Sequence, residues 1–552
     1  MIALIVDNYN LKKKEKIHLI FTNFQNYILS DHKYKNYLYE KNIFKKKFSI
    51  LFSEYFFNSW YRNNNGIDIF KNKFSFAKIL NKFLFFSLLN DIKNYYAIKQ
   101  VLKKYNEVII ISTNESLIRV AKYFKNVKIK KKHFNNLNFI PATPERKEYF
   151  FFKKNNIRKL VFNLDNFTFI RFKKKKIFLL KDWTSKNSLN NKEDILVSNS
   201  SNYFKSFYWN FNLTNKYKFF YKYREDDFLH SYKIFKIFFK RDADIINKLF
   251  KDLFRYHYKS NIKFINETIE ILSNTFDMYQ PKGFILPSNY DWVSILISEI
   301  CKLKGVKTFV LLDGFYLFSS KIDFPKDENN LKNIFDYHFS YGQFFKKVLR
   351  QNGVSKKNII NIKPPFLKIN SLKSYKKYDA CILAYDPYIF NLNTTWDKQI
   401  LIELSILKVL QKIDYKNIVL KIKKSSQKKA NSQEKSVELY KKMFKKIYNK
   451  DLSLNLEIET GDFEKVLKKS SLVIGGLSTS YIESSFYNVP YYIFEPFENG
   501  IYGLNTIVSN SYINRKEINL EKNILKKNWK KIKLENLNFS KNLSDINFKK
   551  YI

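Results

Sequence analysis

Cysteine is nearly missing from this chain: Cys301 and Cys381 are the only two in 552 residues, and both stand in apolar stretches. A disulfide framework and a cysteine-built metal centre are therefore excluded, and a reducing compartment is expected. The six histidines show no ligand spacing. Long apolar runs are missing too. Phe83–Leu89 is among the longest, far short of the ~20 residues that span a bilayer. Met1–Asn8 reads as a short strand soon followed by Lys12–Lys14, not as a secretory signal. The expectation is a cytoplasmic protein, with a peripheral place on the inner face of the membrane as its extension.

Acidic residues are scarce relative to basic ones, 50 against 100, which leaves a net charge of +50. Lys, Asn, Ile, Phe and Tyr are over-used together, as an AT-rich coding sequence would impose. The functional readings of the same charge are a face that docks on anionic lipid or one that holds a polyanionic glycan. The lysines are scattered, in runs such as Lys130–Lys132 and Lys173–Lys176. No nucleic-acid fold signature accompanies them, so no specific nucleic acid is expected as a partner.

What is present is concentrated in Leu472–Pro496, LVIGGLSTSYIESSFYNVPYYIFEP. Its pattern predicts a strand to Ile474, a turn at Gly475 and Gly476, a hydroxyl cluster, a short helix, Pro490, and a strand over Tyr491–Phe494. The helix is expected to bury Ile482, Phe486 and Val489. A helix start offers unpaired N–H groups and a partial positive charge, and adjacent glycines let a phosphate approach. Ser478, Thr479 and Ser480 add donors for the same anion. The plain alternative is a capping box, Ser480 with Glu483, which starts many helices that bind nothing.

Strand–helix alternation surrounds this segment. Gly283–Pro287, Asp291–Lys304 and Lys307–Leu312 read as strand, helix and strand. Gly305 falls just past the helix, and Asp313-Gly314 follows the second strand. A strand to Tyr341, a helix through Leu349 and a run closing on Pro364-Pro365 come next. Residues 363–378 read as a linker. The pattern then restarts: strands Ala380–Ala384, Ile418–Ile422 and Leu454–Ile458 alternate with helices Lys398–Gln411, Glu434–Tyr448 and Phe463–Lys468. Such units require right-handed crossovers and a parallel sheet.

Over its last half, Met278 to about Trp529, the chain resembles the GT-B glycosyltransferases of bacterial surface-polysaccharide biosynthesis. Nearest in pattern are the CDP-glycerol glycerophosphotransferase-like and capsule sialyl- or polysialyltransferase-like groups. Three places carry the resemblance: Lys304-Gly305-Val306 through Leu312 to Asp313-Gly314, Tyr341-Gly342 through Gly353-Val354 to Pro364, and Gly475 to Pro490. The sialyltransferase-like members carry a His-Pro pair where this chain reads Leu420-Lys421-Ile422-Lys423-Lys424, which argues against CMP-sialic acid as donor.

The resemblance implies an α/β fold of two Rossmann-like domains facing a cleft. Residues 1–362 would form an acceptor domain with insertions, rich in aromatics and lysine. Residues 379–530 would form the nucleotide-donor domain, followed by a tail at 531–552. It implies a nucleotide-sugar donor and a glycan or lipid-linked acceptor. Donor phosphates would lie on Gly475, Gly476, Ser478, Thr479 and Ser480, with Lys421 and Lys423 neutralising leaving-group charge. Glu483 would face the ribose or base, and Asp313 would be the general base. No Asp-x-Asp motif stands at a strand end, so no metal and no cofactor is expected. Two alternatives stay open: a polyol-phosphate (CDP-glycerol-type) transferase on the same fold, and a non-catalytic basic protein that binds glycan or nucleic acid.

The first 270 residues are less informative. Glu107–Ile111 and Leu117–Phe124 read as a Rossmann-type strand and helix. Val161–Phe172 and Ile177–Leu180 read as strands around the Lys173–Lys176 turn. The aromatics of Tyr203–Phe239 suit a core and an amphipathic surface better than a sugar-stacking face.

Overall fold

The computed structural model describes residues 2–6, 17–39, 46–70, 75–130, 167–171, 176–177, 195–198, 228–258, 283–286, 292–311, 334–363, 375–384, 399–422, 433–496 and 507–532, with a few single-residue gaps and a few isolated residues besides. These form an α/β protein with three sheets, and nearly all strand pairs are parallel.

The first sheet has five strands in the order β3-β2-β1-β4-β5. They are β1 (Ile2–Val6), β2 (His18–Phe21), β3 (Lys35–Tyr37), β4 (Glu107–Ile111) and β5 (Val127–Ile129). Only β4 and the start of β1 are legible in the sequence, so this complete parallel sheet is an addition to the expected pair of Rossmann-like units. Beside it stands the 27-residue helix Phe76–Leu102, whose N-cap Ser75 accepts from the Lys78 N–H. Asp91 on that helix is fully buried. It accepts from Arg119 Nε at 3.0 Å and Nη2 at 2.8 Å and from Ser116 Oγ at 2.5 Å, so the helix Glu115–Ala121 is held by a satisfied buried pair.

Many of the described aromatics of the N-terminal half are core, although Tyr34 and Tyr55 are exposed. Phe52, Phe56, Trp60, Phe85, Phe235, Phe250 and Phe254 are all buried, and Trp60 Nε1 donates to Asn81 Oδ1 at 2.8 Å. Of the expected aromatic stretch Tyr203–Phe239, residues 203–227 lie outside the described residues. The rest forms the helix Leu229–Phe239.

The second sheet has seven strands in the order β12-β11-β10-β9-β8-β6-β7. They are β6 (Phe167–Arg171), β7 (Lys176–Ile177), β8 (Ile195–Ser198), β9 (Gly283–Leu286), β10 (Lys307–Val310), β11 (Tyr337–Ser340) and β12 (Ile359–Asn361). Of the strands expected over Val161–Phe172 and Ile177–Leu180, the described residues are 167–171 in β6 and Ile177 in β7, and the two strands pair antiparallel. Between β9 and β10 runs the helix Trp292–Leu303, and Gly305 follows it with φ +67°, a left-handed conformation that glycine adopts without strain. This helix packs against Phe76–Leu102, which joins the first and second sheet units.

The third sheet has six parallel strands in the order β15-β14-β13-β16-β17-β18. They are β13 (Ala380–Leu383), β14 (Asn417–Lys421), β15 (Asn455–Glu459), β16 (Val473–Gly475), β17 (Tyr491–Phe494) and β18 (Ile513–Asn514). Counted from β13, this is the doubly wound 3-2-1-4-5-6 order. Alternate residues go to opposite faces. Ala380, Ile382, Ile418, Leu420 and Ile474 join the main core, and Cys381, Val419, Val473, Tyr491 and Ile493 join a second core with Val466, Leu467, Tyr481 and Ile482. Burial pushes the Cys381 thiol up to about 12, and that of Cys301 also rises, so both cysteines are inert packing groups.

Of the expected linker 363–378, residues 364–374 lie outside the described residues. Lys377 and Tyr378 donate their N–H groups to the Lys469 carbonyl at 2.8 Å and so already belong to the third sheet unit. The end of the chain returns to the second sheet, where the Tyr551 ring meets that of Tyr337 at 5.2 Å. Among the described residues no helix is long and apolar enough to cross a membrane.

Candidate functional site

β13 and β16 are neighbours, with Cys381 opposite Val473 and Ile382 opposite Ile474. The strand order reverses here: β14 and β15 lie to one side, β17 and β18 to the other. In open α/β sheets this reversal opens a crevice at the carboxyl ends of the strands, where ligands bind. β16 ends in Gly475, and the turn Gly476–Ser478 leads from it into the helix Thr479–Phe486. The hydroxyl cluster therefore stands at the switch point.

Gly475 is demanded by packing. A Cβ there would lie 2.8 Å from the Tyr491 hydroxyl and 2.9 Å from Leu383 Cβ. Tyr491 donates that hydroxyl to the Gly476 carbonyl at 2.6 Å, which fixes the turn from the neighbouring strand. Ser478, Thr479 and Ser480 are all half-buried.

The helix start differs from the capping-box expectation. Ser478 is the N-cap, with extended dihedrals of φ −140° and ψ 172°, and its side chain makes no cap hydrogen bond. Ser480 is consequently the second helical residue, and Glu483 lies two residues further in than a capping partner would. Three consecutive hydroxyl residues leave the cap undecided in the sequence. The backbone decides it: the Tyr481 N–H already bonds to the Ser478 carbonyl at 2.9 Å. Tyr481, Ile482 and Val489 are buried, whereas Phe486 is only half-buried.

Glu483 is half-buried on the second-core face of the sheet. Desolvation first, and the nearby Glu464 second, push its carboxyl up to about 7, against the opposing pull of Lys421. Lys421 ends β14 with the parity of Val419, which directs it to that same face, and its Nζ donates to the Ile422 carbonyl at 2.9 Å. Lys421 and Glu483 thus lie within electrostatic reach of each other. Lys423 and Asp313 lie outside the described residues.

Sequence reasoning missed Glu495. Its side chain stands at the carboxyl end of β17, only 5% exposed, and Oε1 accepts the Leu477 N–H at 2.9 Å. An acid closing the wholly apolar Tyr491–Phe494 is the signal that marks it. Missed as well was the return of the chain over the helix Thr479–Phe486. The Tyr481 hydroxyl donates to the Lys530 carbonyl, and the Ile532 N–H donates to Ser485 Oγ at 3.2 Å.

No protein-family model matches this chain, and no curated protein matches it in sequence. Solved structures with partial likeness include the MnaA–UDP co-structure from S. aureus, at 14% identity and TM-score 0.32, covering 52% of this chain and 78% of that one. The UDP-GlcNAc 2-epimerase from Methanocaldococcus jannaschii in complex with UDP-GlcNAc and UDP has 14% identity and TM-score 0.32, over 49% and 76% of the two chains. A glycosyltransferase from Rickettsia africae ESF-5 has 11% identity and TM-score 0.30, over 48% and 71%. Likeness at this level assigns no reaction.

Proposed function

We propose that this chain binds a nucleotide-activated sugar at the Gly475–Ser480 turn and transfers the sugar to a surface-polysaccharide or glycolipid acceptor without an obligatory metal. The observation that carries the reading is the position of the hydroxyl-bearing turn at the switch point of the doubly wound third sheet. The helix start contributes backbone N–H groups and the positive end of its dipole. Ser478, Thr479 and Ser480 supply hydroxyl donors to the donor phosphates.

Bond cleavage at the anomeric carbon leaves negative charge on the departing phosphate oxygen. Lys421, with Lys423 two residues on, meets that charge in this reading. Glu483 faces the ribose or base. Asp313 takes the proton from the acceptor hydroxyl as that oxygen attacks the anomeric carbon.

The test is a calorimetric panel of UDP, GDP, CDP and CMP at low and high salt. The reading expects saturable binding with one preferred nucleotide that persists at high salt. A preference for CDP or CMP turns the assignment toward the polyol-phosphate reaction. Equal binding of every polyanion, lost at high salt, contradicts an enzyme of either kind.

A further inference from the structure

We propose that Glu495 is the positioning residue of the phosphate-binding turn, a strut that fixes the Leu477–Ser480 backbone from the neighbouring strand; this rests on the nucleotide reading above. Two glycines precede Leu477, so the turn has little intrinsic stiffness. Leu477 is buried, and its N–H finds its acceptor in Glu495 Oε1 at 2.9 Å. A buried N–H that lost this acceptor would have to move or remain unsatisfied.

The strut is itself held from both sides. The Glu495 N–H donates to the Asn514 carbonyl at 2.9 Å, and the Glu495 carbonyl accepts from Arg515 Nη1 at 2.9 Å. Asn514 Nδ2 in turn donates to the Ile493 carbonyl at 2.8 Å, and Asn514 Oδ1 accepts from Asn523 Nδ2 at 2.7 Å. The helix Glu517–Leu525, β18 and β17 therefore form one hydrogen-bonded chain that ends at the turn. With Tyr491 holding the Gly476 carbonyl at 2.6 Å, the single peptide group between Gly476 and Leu477 is fixed at both its carbonyl and its N–H, by β17 and the residue that follows it. A ligand site needs its donors held in place before the ligand arrives, and this arrangement supplies that.

The acceptor role and the acidic group separate cleanly by substitution. Glu495→Gln keeps a carbonyl oxygen at the same reach and removes the acid, whereas Glu495→Ala removes both. Hydrogen exchange of the 477–480 amides in the unliganded protein reads the strut directly. Affinity for the nucleotide preferred within the UDP, GDP, CDP and CMP panel reads its consequence. In Glu495→Ala, exchange of that segment should quicken about tenfold and the Kd should rise about tenfold, the loss of one organised hydrogen bond. Glu495→Gln should restore both to within about threefold of wild type. Unchanged exchange in Glu495→Ala overturns the strut. Failure of Glu495→Gln to rescue, with the protein folded, overturns it too, because the acid itself would then be what matters. Wild type that binds no nucleotide, yet shows the expected exchange pattern, sinks the nucleotide reading and upholds the strut.

Discussion

Tyr491 and Gly475 contend for one space: the Tyr491 hydroxyl sits 2.8 Å from where a Cβ on Gly475 would stand, while donating to the next carbonyl at 2.6 Å. The glycine that a phosphate site would ask for is thus already required by the packing of β16 against β17 and β13. Gly475→Ala has no space to open into, because Leu383 Cβ lies 2.9 Å away on the other side. It should destabilise by about 1–3 kcal/mol, the usual cost of overpacking. Urea unfolding should show a lower midpoint at unchanged slope. Wild-type stability in the variant would mean that the turn yields freely.

The cap assignment separates neighbouring serines. Ser480 is inside the helix, so Ser480→Ala should change stability by no more than about 0.5 kcal/mol. Ser478 is the N-cap but its side chain makes no cap bond. Its replacement by Ala should therefore cost near the low end of the N-cap range, about 0.5 kcal/mol. Melting curves of the two single variants decide this. A loss near 2 kcal/mol confined to Ser480→Ala would restore the capping box.

Glu483 links stability to pH. Its carboxyl is held at about 7 in the folded protein against an ordinary 4.5. Between those values the folded state binds more protons than the unfolded state, so stability should fall as pH rises from 4.5 to 7. The contribution is on the order of 1–3 kcal/mol, since the group is only half-buried. Glu483→Gln should flatten this part of the profile. An unaltered slope in the variant would assign the dependence to other groups.

Legibility in the sequence follows the range of the interactions. β4 and β17 are found residue for residue, because each is a compact apolar run bounded by breakers. The alternation of the third sheet puts Lys421 on the face of Val419, a period-2 inference that needs no contacts. The first sheet is poorly legible because β2 and β3 are only four and three residues long. The Glu495–Leu477 bond joins residues 18 apart across two strands, and no local pattern reports it. The helix start lies two residues before the capping-box position because side-chain chemistry allows any of three hydroxyls to cap, and only the backbone dihedrals select Ser478.

Asp313 is tested through turnover. Two residues before it, Leu311 follows the end of β10 at Val310; both are buried, and Leu311 donates its N–H to the Leu286 carbonyl at 2.8 Å. Asp313→Asn keeps size and turn preference. Turnover should drop about 10²–10⁴-fold while nucleotide affinity stays within about threefold. Near-normal turnover would leave Asp313 as a turn residue.

The most direct measurement is a calorimetric titration of the preferred nucleotide into wild type and into the Ser478→Ala, Thr479→Ala double variant, at low and high salt. Wild type should bind saturably at both salts, and the double variant should bind about tenfold or more weakly, with its melting temperature close to wild type. Equal affinity in the two proteins, or binding that vanishes at high salt in both, would contradict a phosphate site at the head of this helix.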